Sequence, residues 1–196
     1  MYQYVLVSQH IVEYLLDGFK KFGFDNVLNY IVENYVIKDD LCLDQKLTAA
    51  LDKRIEQSKR FKIGSVVPNI IEQEARGKRI ELNMLNAEKT LIIFYASWCP
   101  HCQTLVPQVY KVYKEQREKK FEVLAISIDS SKTEWQNFIK NKGLDEWMNV
   151  CDLKGWDGKA AIDYFIYSTP TMFLVDKQLK LIQLPKTFDE IKNILL

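Results

Sequence analysis

The sequence predicts an α/β fold, a mixed central sheet with helices on its faces, preceded by a small helical region. Three observations carry this. A continuous apolar run, residues 91–95, and a second largely apolar stretch, 123–128, suit strands buried on both faces. Stretches with helical spacing alternate with them, as in strand–helix–strand units. Two further short segments, 171–175 and 179–184, flank a turn at 176–178 and read as a final strand pair, a closing hairpin, so the sheet is mixed.

The elements follow in order. In residues 4–19, Val5, Ile11, Val12, Leu15, Leu16 and Phe19 form one helical stripe, ended by Gly18 and Gly23. Asp25 or Asn26 caps a second helix carrying Val27, Leu28, Ile31 and Tyr35. Asp44 opens a third, with Leu47, Ala50, Leu51 and Ile55 inward and the charged stretch 52–62 as its solvated end. A short strand is expected over 77–82, then the strand at 91–95, a helix from Cys99 to about Lys120, and the strand at 123–128. Ser130 and Thr133 can cap a helix through Asn141; Val150 lies on a short strand; 159–165 and 188–196 are helical. The expected division is a helical region, 1–62, and the α/β domain, 63–196.

The chain has 196 residues, 47% hydrophobic and 27% charged, enough to build a core without a staple. Lys and Arg number 27 against 26 Asp and Glu, with the signs interspersed. That balance argues against a nucleic-acid partner and against disorder. No apolar run reaches the roughly 18 residues of a membrane span. The first segment lacks a basic leader and is broken by Gln3, Gln9, His10 and Glu13, so no signal peptide is read there.

Of four cysteines (Cys42, Cys99, Cys102, Cys151) and two histidines (His10, His101), three fall together in the segment FYASWCPHC, 94–102. This sets a C-x-x-C where a buried strand becomes a helix. At a helix N-terminus, unpaired N–H groups and the positive dipole end favour a thiolate. Pro100 belongs at the first helical position, where a missing N–H costs nothing. Cys102, one turn on, faces the same side and can close a disulfide with Cys99, which is expected to be the exposed member of the pair. Such placement lowers a thiol pKa, and a protonated His101 would act in the same sense. A stabilised thiolate favours the reduced form, so this pair leans toward an oxidising couple. Zinc is the structural alternative, but Cys42, Cys151 and His10 offer no second close pair of ligands. An inert core pair is the other.

With those residues in view, the chain from about Ile63 onward resembles the thioredoxin superfamily, specifically the TlpA/ResA-like thiol–disulfide oxidoreductases related to the AhpC/TSA group. The matching pieces are Gly64-Ser65-Val66-Val67-Pro68, the 98–102 motif, Pro107 within the following helix, Ser127-Ile128-Asp129, and Thr169-Pro170-Thr171 before a strand. The resemblance implies a three-layer thioredoxin-like fold with an extra strand–helix insertion near 129–155. It implies a cis bond before Pro170, with Thr169 offering backbone hydrogen bonds to an extended client. It also implies protein thiol or disulfide clients, an upstream redox partner, and no cofactor beyond the Cys99–Cys102 disulfide. Two positions depart from the pattern: the buried carboxylate that serves the second cysteine is replaced by Ile93 in one branch and Leu105 in the other. Water or Glu122 is the substitute considered. The N-terminal region, with GFDNV at 23–27 and IVENY at 31–35, is similar to a domain preceding such modules in Bacteroidetes envelope proteins, which implies a periplasmic or cell-envelope location.

Trp98, beside Cys99, is read as an edge of the client surface, and Trp135, Trp147 and Trp156 as packing residues that could instead line a groove. Cys42 and Cys151 read as small buried hydrophobes, with a mutual disulfide the alternative. The expected activity is thiol–disulfide exchange. A peroxidase of the peroxiredoxin kind is the first rival, though Ala96 stands where that chemistry wants Thr. A non-catalytic binding module is the second.

Overall fold

A computed structural model describes residues 11, 14, 15, 27, 30, 31, 52, 53, 56, 57, 59–74, 77–116 and 121–195. The chain divides into two compact units, Met1–Glu56 and Gln57–Leu196. In the first, every described residue is helical; Ile31 is buried, whereas Ile11, Leu15 and Val27 are exposed. The expected caps at Asp25, Asn26 and Asp44, together with His10 and Cys42, lie outside the described residues.

The second unit runs β1 (Ile71–Gln73), β2 (Arg79–Glu81), β3 (Lys89–Tyr95), α1 (Pro100–Gln116), β4 (Phe121–Ser127), α2 (Lys132–Lys142), β5 (Met148–Val150), α3 (Lys159–Asp163), β6 (Thr171–Asp176), β7 (Leu181–Gln183) and α4 (Phe188–Leu195). Strands β1 and β2 form an antiparallel pair of their own. The main sheet has the order β5-β4-β3-β6-β7, with β3, β4 and β5 parallel, β6 antiparallel to β3 and β7 antiparallel to β6. Helix α1 makes the crossover that parallel β3 and β4 require. Beyond Lys89, every residue of β3 is buried, as a central strand covered on both faces should be.

Register decides where chemistry can gather. Tyr95 pairs with Ser127 on one side, and Phe94 with Thr171 on the other. Three segments therefore leave the sheet at one edge: 96–99 after β3, 128–129 after β4, and 168–170 before β6. Glu122 pairs with Thr90 near the other end of these strands, where its carboxylate accepts from the Tyr113 hydroxyl at 3.1 Å. Five residues of strand, about 16 Å, separate those two ends. The expected role of Glu122 as a proton acceptor for Cys102 does not survive this placement.

Three local expectations are corrected. Helix α2 is capped by Ser131, whose hydroxyl accepts from the Glu134 N–H at 3.3 Å, rather than by Ser130 or Thr133. The final hairpin's turn extends through Leu179, because the Asp176 carboxylate accepts from the N–H groups of Gln178 (2.8 Å) and Lys180 (2.9 Å) and bends the chain there. Leu179 takes a φ of 60°, so β7 starts only at Leu181. The stretch 52–62 is not wholly a solvated end. Phe61, 2% exposed, stacks on Tyr164 at 5.3 Å and meets Phe173 edge-on at 5.1 Å, and the Gln57 side chain donates to the Tyr164 carbonyl at 2.9 Å. The Gly64 N–H then donates to the Leu181 carbonyl, the Leu181 N–H to the Ser65 carbonyl and the Val67 N–H to the Leu179 carbonyl, so the segment 64–67 covers the edge of β7.

The insertion packs by a buried polar network on one side of the sheet. Trp135 donates to the Tyr95 hydroxyl (2.9 Å), Tyr95 to Asn149 (3.3 Å), Trp147 to the same Asn149 oxygen (3.0 Å), and Asn149 to the Leu144 carbonyl (2.7 Å). Trp135 and Trp147 are thus packing residues.

Candidate active site

The segment 96–99 breaks from β3 in a tight turn closed by the Cys99 N–H donating to the Ala96 carbonyl at 3.2 Å. Pro100 is the first residue of α1, as its missing donor allows. The Cys99 carbonyl already accepts from Gln103 at 3.0 Å, so Cys99 caps the helix and its sulfur faces the free N–H groups of the first turn.

Cys99 and Cys102 are both free thiols and both buried, at 5% and 0% exposure. Cys99 is the less shielded of the two, as expected, but it is not open to solvent: the loop 168–170 lies against it, and the thiol donates to the Thr169 carbonyl at 3.3 Å. The Thr169–Pro170 peptide is cis.

The two thiols differ electrostatically. Burial pushes Cys99 up, but hydrogen bonds from the Thr169 side chain, the Cys102 thiol and the N–H groups of Cys102 and His101 outweigh it. The net is a pKa below that of an ordinary thiol. Cys102 lies deeper, and burial pushes it up to about 12, against a backbone hydrogen bond at Ala96. One thiol is prepared to ionise and the other to stay protonated until needed. The His101 side chain is exposed, and its backbone N–H is the part that serves Cys99.

Trp98 is 52% exposed, and its ring lies 6.3 Å from that of Trp156, which is half-buried. Trp156 reaches this position from the loop 152–158. There the Asp152 carboxylate accepts from the N–H groups of Lys154 (3.0 Å) and Lys159 (3.1 Å). A Cβ at Gly158 would lie 2.7 Å from that carboxylate, so the loop needs glycine there. Of the three tryptophans read as packing, this one joins the surface beside Cys99.

The AhpC/TSA family model matches residues 63–184. The chain belongs to the AhpC/TSA family. A ResA thiol–disulfide oxidoreductase from Bacillus thuringiensis is 30% identical over 127 residues, covering 65% of this chain and 71% of that one. A solved thiol–disulfide oxidoreductase from Bacteroides fragilis is 26% identical with a TM-score of 0.57, covering 67% of this chain and all of the other (100%). A thioredoxin-like protein from Bacteroides caccae, 20% identical with a TM-score of 0.64, covers 97% of this chain and 76% of its own, a likeness of fold. The thioredoxin-like reading of the fold and the TlpA/ResA-like reading of the family both hold.

In this AhpC/TSA family member, one buried carboxylate bonded to the active-site turn escaped the sequence reading. Asp129 is wholly buried. It accepts from the Ser97 N–H (3.0 Å), the Ser97 hydroxyl (2.7 Å) and the Ser127 hydroxyl (2.5 Å). The signal available was the Ser127-Ile128-Asp129 segment itself, an acidic residue directly after a largely apolar strand. Cys151 lies beside it, donating to the Asp129 carbonyl at 3.3 Å; burial pushes this thiol up, as befits a packing cysteine. It is in no disulfide. Among the described residues, no three His, Cys, Asp or Glu side chains cluster to hold a metal ion, and no helix is long and apolar enough to cross a membrane.

Proposed function

We propose that the protein is a thiol–disulfide oxidoreductase that exchanges disulfides with protein clients through Cys99 and Cys102. The observation that carries this is the asymmetry of the two thiols, one lowered beneath the Thr169–Pro170 loop and one buried and raised. In the reducing direction, the Cys99 thiolate attacks one sulfur of a client disulfide. A Cys99–client disulfide forms and one client thiolate leaves. Cys102 then gives up its proton to water and attacks the Cys99 sulfur. The second client thiolate departs, and the client has gained the two electrons that the Cys99 and Cys102 thiols lost in becoming a disulfide. Run backward, the same steps oxidise a client. An upstream redox partner resets the pair, and no metal or organic cofactor enters.

Trp98 and the 168–170 loop border Cys99 from two sides, which supports their reading as client contacts. Oxidising compartments are where client disulfides persist, which supports a place in the periplasm or cell envelope.

The test is capture. Cys102→Ser, mixed with a disulfide-containing model protein, accumulates a mixed disulfide on Cys99, identified by mass after alkylation. Absence of that adduct, or equal capture by Cys99→Ser, overturns the reading.

A further inference from the structure

We propose that Asp129 is a positioning residue for Cys99, acting through Ser97. The inference rests on Cys99 being the nucleophile and adds how its helix terminus is held. Ser97 lies two residues before Cys99 in the turn between β3 and α1, and each of its polar groups is engaged. Its N–H and hydroxyl both donate to Asp129, and its carbonyl accepts from the Gln103 side chain at 2.9 Å, one turn into α1. The turn is thus gripped from beneath by the end of β4 and from above by the helix it introduces.

Asp129 is itself held. Its carboxylate accepts from the Ser127 hydroxyl, and its own N–H donates back to that hydroxyl at 2.9 Å. A carboxylate removed from water is costly unless its oxygens are bonded, and these bonds go chiefly to the turn that carries Cys99. Sub-ångström placement matters there. Cys99 owes its lowered thiol to donors on Thr169, Cys102 and His101 that converge on one sulfur position, and a rotation about Ser97 moves that sulfur off them.

The test is the pH profile of Cys99 alkylation by iodoacetamide in the natively folded, full-length protein, with the glutathione equilibrium of the Cys99–Cys102 pair. Asp129→Ala shifts the profile to higher pH, slows alkylation near neutrality about tenfold, and moves the equilibrium toward the disulfide. Asp129→Asn keeps an acceptor for the Ser97 N–H and recovers most of that loss. Gln103→Ala, on the helix surface, loosens the other grip and shifts the profile in the same direction by less. A loss of thermal stability with an unmoved profile in Asp129→Ala and Gln103→Ala overturns the proposal, as does Asp129→Asn behaving like Asp129→Ala. Wild-type Cys99 titrating like an ordinary thiol would instead remove the reading of Cys99 as nucleophile.

Discussion

The sulfur of Cys99 stands 3.3 Å from the backbone oxygen of Thr169, seventy residues further along the chain. The sheet register makes this meeting, because Phe94 and Thr171 are paired neighbours on β3 and β6. Thr169 also hydrogen-bonds Cys99 through its side chain, which helps hold the thiol below its ordinary range. Thr169→Ala therefore shifts Cys99 alkylation to higher pH and slows it severalfold near neutrality, measured as rate against pH.

The buried Cys102 thiol predicts a pH-dependent stability. Its folded pKa, about 12, lies above the roughly 8.5 of a free thiol. Between those values the folded state holds a proton that the unfolded chain has released, so stability is full below about pH 8.5 and falls as pH rises toward 12. Tyr95 and Tyr164, also raised by burial, pull in the same direction in both redox forms. The disulfide form lacks the thiol contribution. Denaturant melts of reduced and oxidised protein at pH 9 and pH 11, above the range in which the lowered Cys99 thiol adds an opposing gain, should show the reduced form losing more.

Phe61 joins the core of the second unit from a stretch rich in charge. Phe61→Ala should destabilise this unit by about 3–5 kcal/mol, the usual cost of a cavity in a packed aromatic cluster. Chemical denaturation checks it.

Asn149 accepts from both Tyr95 and Trp147 through one oxygen. Asn149→Ala strands two buried donors and the Leu144 carbonyl at a cost of about 1–3 kcal/mol. Asn149→Asp keeps the acceptor oxygen and buries a charge, and should be no better. Equilibrium melts of both variants test this.

The buried strands and the C-x-x-C at the strand-to-helix junction were legible because they are local: an unbroken apolar run and a Pro at the first helical position each follow from adjacent residues. The pieces that needed the fold were those joined by register. Asp129 lies thirty-two residues from Ser97, and nothing in spacing brings them together until Tyr95 pairs with Ser127. Glu122 stands before the strand expected at 123–128, and the parallel pairing of β3 with β4 is what sets it at the end away from Cys102. Phe61 was hidden by its charged neighbours, which spoil the helical stripe while leaving one ring free to turn inward. The cover over Cys99, the less shielded of the pair, was not legible because the loop that supplies it arrives from far along the chain.

The most direct test of the account is the redox equilibrium of the Cys99–Cys102 pair against defined glutathione ratios, followed by mass after alkylation. The account predicts one two-electron couple between about −270 and about −120 mV, lost in Cys99→Ser. A pair that stays dithiol, or stays disulfide, at every poise would contradict it.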